Sequence, residues 1–168
     1  MRTIGHTSTP GREELRELRA LRGSAPHVIA AGRGEGVLVV ALGDVLAVRR
    51  EGQWGQVGWQ HIQHGSWDGD DDRLSWTLID GTEHSAVLTE AGQLPGAFLE
   101  RVQASVLVQE KLELPGGGSV VLIGRRNPAG TGEVTWMAQP SGRAAMDEPA
   151  VQEFIVSQSE RLADEYGL

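Results

Sequence analysis

The chain has no cysteine, which excludes a disulfide framework, a thiol nucleophile, Fe–S ligation and every zinc site built on thiolates. Lysine is almost missing as well: Lys111 stands alone among 15 basic residues, an imbalance that reads as the coding bias of a GC-rich genome. Phenylalanine and tyrosine total two and one. No stretch approaches the ~18 consecutive apolar residues of a membrane-spanning helix, so no integral membrane segment is expected. Residues 1–10 hold one arginine, no apolar centre and no small-residue cleavage site. They do not read as a secretory signal, and a cytoplasmic location is the expectation.

What is present is a 168-residue chain with 15 basic and 23 acidic residues and a formal net charge of −8. A domain of this size buries about 70% of the surface its unfolded chain exposes, so stability requires neither metal nor disulfide. Residues 1–50 carry eight basic and five acidic residues, and residues 51–168 carry seven and eighteen. Nucleic acid is not an expected partner, because affinity for phosphate backbones comes from clustered Lys and Arg, and here the arginines of the basic part alternate with glutamates.

Leu15, Leu18 and Leu21 form an apolar stripe in an N-terminal helix. Thr9 is positioned to cap it, Pro10 to occupy its first position and Gly23 to end it. From residue 27 the period becomes that of strands. Short β-branched runs at 27–31, 36–42 and 45–50 are separated by Gly-rich turns, and 56–67 reads as one strand with a bulge. Residues 68–72 form an acidic turn, after which 74–78 and 83–88 pair across Asp80-Gly81. Leu94, Phe98, Leu99, Val102 and Val106 then recur at helical spacing. A second strand group follows at 108–114, 120–125 and 134–138, the last two separated by a loop over 127–132. A final helix is capped by Asp147, with Pro149 in its first turn and Val151, Phe154, Ile155, Leu162 and Tyr166 on its apolar side.

Three features carry a resemblance: Val45-Leu46-Ala47-Val48-Arg49-Arg50, Val57-Gly58-Trp59-Gln60-His61-Ile62, and the segment from Leu74 to Asp80 ahead of a Gly turn. Over residues 27–106 the chain resembles bacterial pleckstrin-homology-like domains. The resemblance implies a curled antiparallel sheet or partial barrel, or two near-orthogonal sheets, plugged by a helix, and it implies no enzymatic activity. The fold class expected is therefore α+β and mostly antiparallel, in three parts: residues 1–26 as N-terminal helix and linker, 27–106 as the pleckstrin-homology-like sheet with its helix, and 107–168 as a three-stranded extension with a C-terminal helix packed on the core.

The chemistry-bearing patterns are weak. His61 and His64 stand three apart with Asp68 close behind. On a strand such positions face opposite ways, so surface histidines are favoured over a metal site, and a metal-dependent hydrolase ranks last. Asp68, Asp70 and Asp72 begin a calcium-loop spacing, but Arg73 stands where the glycine belongs and Ile79 where the final glutamate belongs. No cofactor motif is found. Five tryptophans are the unusual feature: Trp59 and Trp76 read as core, while Trp54 and Trp67, at strand ends, are rim candidates for binding together with Arg49 and Arg50. The function expected is a non-catalytic cytosolic module that binds protein, itself included, through a sheet edge or tryptophan rim. A small-ligand or anionic-lipid binder is the alternative, with a lipid surface disfavoured by the acidic loops.

Overall fold

The computed structural model describes residues 8–130 and 132–168. Most of the segment read as lacking a secretory signal (residues 1–7) and Thr131 of the 127–132 loop lie outside the described residues. The architecture is α+β, with three antiparallel sheets, three α-helices and no closed barrel among the described residues. The chain divides into two compact units, Met1–Gln103 and Ala104–Leu168.

The first unit holds helix α1 (Arg12–Arg22), strands β1 (Val28–Gly34), β2 (Val37–Leu42), β3 (Val45–Arg50) and β4 (Gln53–Gly58), strands β5 (Ile62–Asp68), β6 (Arg73–Leu78) and β7 (Glu83–Val87), and helix α2 (Leu94–Ala104). The strands form a four-stranded sheet in the order β1-β2-β3-β4 and a three-stranded sheet β5-β6-β7. All six residues of β2 are buried, and its alternating side chains explain why. Val37, Val39 and Ala41 point into a core shared with the second sheet and α2, where Trp59, Ile62, Leu74, Trp76 and Phe98 meet them. Leu38, Val40 and Leu42 point the other way, onto Leu18 of α1. Full burial of Leu18 contributes roughly 2 kcal/mol to docking that helix.

The two sheets meet along one side. Arg33 and Glu90 exchange both backbone hydrogen bonds, at 2.8 and 2.9 Å, in an isolated antiparallel bridge just past β7. Gly34 permits this approach, since a Cβ there would lie 1.9 Å from the carbonyl oxygen of Val87.

The second unit holds β8 (Val106–Glu113), β9 (Ser119–Arg125), β10 (Thr135–Ser141) and α3 (Pro149–Tyr166), with sheet order β10-β9-β8. Its core consists of two small clusters, one around Val108, Leu122 and Leu162 and one around Leu114, Val120 and Val151. Arg125 is buried against Ser105, whose hydroxyl accepts from its guanidinium at 2.9 Å, and burial pushes its pKa down.

Several boundaries differ from the sequence expectation. The strand expected over 56–67 is broken by a 3-10 turn, Trp59–His61. Trp59 is fully buried and its indole N–H donates to the Leu42 carbonyl at 2.9 Å, so the chain coils locally to place the ring inside. Helix α1 starts after Gly11, whose N–H donates to the Glu14 carboxylate at 2.8 Å, instead of being capped at Thr9. Gly23 does end it, in the left-handed conformation at φ 75°. Helix α2 stops at Ala104, and Val106, whose spacing matches the helical stripe, opens β8. The last helix is preceded by Glu148, not Asp147, with Pro149 at its first position.

Candidate binding cleft

The register of the first sheet defines the site. Leu46 pairs with Val57, Val48 with Gly55 and Arg50 with Gln53. Leu46, Val48 and Val57 belong to the core between the sheets, so these three rows all face inward. Gly55 therefore leaves an inward position of β4 without a side chain. A Cβ built there meets nothing within 4 Å. The space opens a cleft of about 450 Å³, walled by Leu46, Val48 and Val57 on one side and by Trp76, Leu78 and His84 of the second sheet on the other.

The cleft is apolar at its walls and basic at its rim. The His84 ring stacks on Trp76 with centroids 5.7 Å apart and planes 18° apart. Arg50 reaches across to donate to the Ser85 carbonyl. Among the described residues lining the cleft there is no Asp or Glu. Beside it runs β4, an edge strand. No backbone hydrogen bond outside its pairing with β3 engages Gln53–Val57 among the described residues.

The residues singled out from sequence fall in different places. Arg50 lies at the cleft rim. Arg49, its neighbour, faces the opposite side of the sheet, where Glu17 of α1 accepts from its Nε at 2.8 Å and from the Trp54 indole at 2.8 Å. These two hydrogen bonds, Arg49 first, hold the Glu17 carboxyl below its ordinary range, and Glu17 raises Arg49 in return. The Trp54 side chain is thus half-buried under α1, while the residue also borders the cleft. Trp67 is half-buried on the inward face of β5, in a row with Leu74 and Ala86, and packs on the core. The structure does not bring Trp54 and Trp67 together. His61 is exposed in the 3-10 turn, and His64 stands on the outer face of β5. The Asp68 carboxylate accepts the backbone N–H groups of Asp70 and Asp71 at 2.9 and 3.3 Å, which builds the acidic turn. Among the described residues there is no group of three or more metal-capable His, Asp or Glu side chains.

Gly55, His84 and Gln53 are the cleft residues that sequence reading passes over. A signal existed for one of them: with Val57 inward, the period of two puts Gly55 on the apolar face as a gap. His84 carried none, because its stacking on Trp76 depends on the β6–β7 register. No helix is long and apolar enough to cross a membrane among the described residues. Comparison with protein-family models, curated proteins and solved structures finds no match to this chain.

Proposed function

We propose that the chain is a non-catalytic cytoplasmic binding module that accepts an extended segment of a protein partner along β4, with alternate side chains of that segment entering the cleft. The observation that carries this reading is the adjacency of an unpaired strand edge and an open apolar cleft on the same residues, Gln53–Val57. An added strand satisfies backbone donors and acceptors, and pockets for alternate side chains supply specificity. The pleckstrin-homology-like reading of the first unit is likewise proposed here. Its support is the sequence of four strands, three strands and a following helix whose Phe98 packs on Trp59 and Trp76.

The test is selection of a phage-displayed library of random linear peptides on the full chain, repeated on Gly55→Leu. Enrichment of sequences with alternating apolar residues that bind the wild type and lose at least about tenfold on Gly55→Leu is the expected result. Peptides that bind both proteins equally, or no enrichment at all, would remove the reading. Sedimentation velocity over a concentration series tests the version in which the partner is a second copy, and a monomer throughout excludes it. The cleft volume also lies within the ~300–1,000 Å³ typical of small-ligand sites, which favours a small apolar ligand as second reading. Binding of anilinonaphthalene sulfonate that Gly55→Leu abolishes, without any peptide enrichment, would select it.

A further inference from the structure

The cleft is basic at one end only, and the register says which end. The three inward rows across β3 and β4 run from Leu46–Val57 through Val48–Gly55 to Arg50–Gln53. A strand added to β4 extends each row by one residue, and its inward side chains fall at every second position. The residues opposite Val57 and Gly55 therefore face the apolar wall, and the one opposite Gln53 lies two strand spacings, about 10 Å, from Arg50 in the same row, a span that a glutamate and an arginine side chain together can bridge. His84 lines the same cleft. Glu51 and Glu83, in the β3–β4 turn and at the start of β7, do not line the cleft, and Glu35, which shares a second pocket with Arg50, is balanced there by Arg73.

We infer that the segment bound along β4 carries two apolar residues and one acidic residue at successive alternate positions, with its carboxylate on Arg50. This rests on strand addition at β4 and specifies its occupant. If the segment runs antiparallel to β4 the order is apolar, apolar, acidic from its N-terminus, and if parallel the order is reversed. An acidic side chain suits this rim because Arg50 uses one nitrogen on the Ser85 carbonyl and a guanidinium has five N–H donors in all.

The experiment is fluorescence polarisation of short dye-labelled peptides, capped at both ends, with two valines and one glutamate at alternate positions, in both chain directions, each beside its glutamine counterpart. A rim ion pair is worth up to ~1 kcal/mol, so the glutamate peptide of one direction is expected to bind about threefold to fivefold more tightly than its counterpart. That preference should disappear on Arg50→Gln and weaken as salt is raised. Arg49→Gln, whose target lies on the far face, should leave the preference intact. Equal binding of glutamate and glutamine peptides, with Gly55→Leu still blocking both, would overturn the acidic specificity and leave strand addition standing. Failure of all four peptides overturns the inferred occupant, while strand addition itself stands or falls on the library selection. A thermal melt of Arg50→Gln matching the wild type shows that the variant is folded.

Discussion

The ring of Phe98 occupies the place where a side chain at position 65 would be. A Cβ on Gly65 would fall 2.1 Å from its Cε1, and the ring is fully buried, edge-on to Trp59 at 5.7 Å. Such a ring has little freedom to move aside. Gly65→Ala is therefore expected to destabilise the chain by about 2 kcal/mol, within the usual cost of overpacking, as read from the urea midpoint. Gly55 supplies the internal contrast. Its added methyl meets only open space, so Gly55→Ala should stay within about 0.5 kcal/mol of wild type or exceed it. If both variants lose equally, the cleft is not open in solution. Trp59→Phe probes a third kind of residue, because it removes the indole donor from the buried Leu42 carbonyl and leaves part of the ring's space unfilled. A loss of about 1–3 kcal/mol is expected, and an unchanged midpoint would mean that the hydrogen bond carries no stability.

Helix α1 is fastened to its sheet by one fully buried leucine and by acids facing inward. Glu14 meets the Arg33 guanidinium at 2.6 and 2.9 Å, and Glu17 meets Arg49 and Trp54. The hydrogen bond from Arg33 is the main cause holding the Glu14 carboxyl below its ordinary 4.5. A carboxyl depressed in the folded state adds stability that is complete above its unfolded pKa and disappears as pH falls through the folded one. Stability should thus decline from about pH 5 downward, and Glu14→Gln should lower it at neutral pH while flattening the decline. With the Arg33 side chain 35% exposed, solvent screening keeps the effect below ~1 kcal/mol. Parallel acid profiles for the variant and wild type would show that the ion pair does not contribute. The helix itself was legible in the leucine spacing, as were its glycine terminus and the strand periods, since those signals are local. The inward turn of its acids was not, because Arg33 and Arg49 lie 19 and 32 residues away from their partners. Likewise the break at Trp59 answers to a tertiary demand, burial of the indole against Leu42, that no local propensity announces. The cleft was half legible: Arg50 and Trp54 could be picked out as rim candidates, but β4 as a separate strand could not, and His84 joins them only through the pairing of β6 with β7.

At the scale of the whole chain, stability is unevenly supplied. The first unit has two cores, one on each face of its four-stranded sheet, with Trp59, Phe98 and several leucines fully buried. The second unit relies on two small clusters on β8, β9 and α3. Small units with few buried large side chains sit near the threshold at which burial offsets conformational entropy. A chain ended after Ala104, which completes α2, should therefore unfold in urea as one cooperative transition and keep any peptide binding that Gly55→Leu abolishes in the full chain. The piece from Ser105 onward should unfold at lower urea or remain unfolded. Tryptophan fluorescence separates the two in the intact protein, because Trp136 belongs to the second unit and the other four tryptophans to the first. Replacing Trp136 with phenylalanine leaves a signal from the first unit alone, and its midpoint should match that of the shortened chain. A midpoint that falls markedly when the second unit is removed would show that the first depends on it, and binding lost by the shortened chain would mean that β4 and its cleft are not sufficient for recognition.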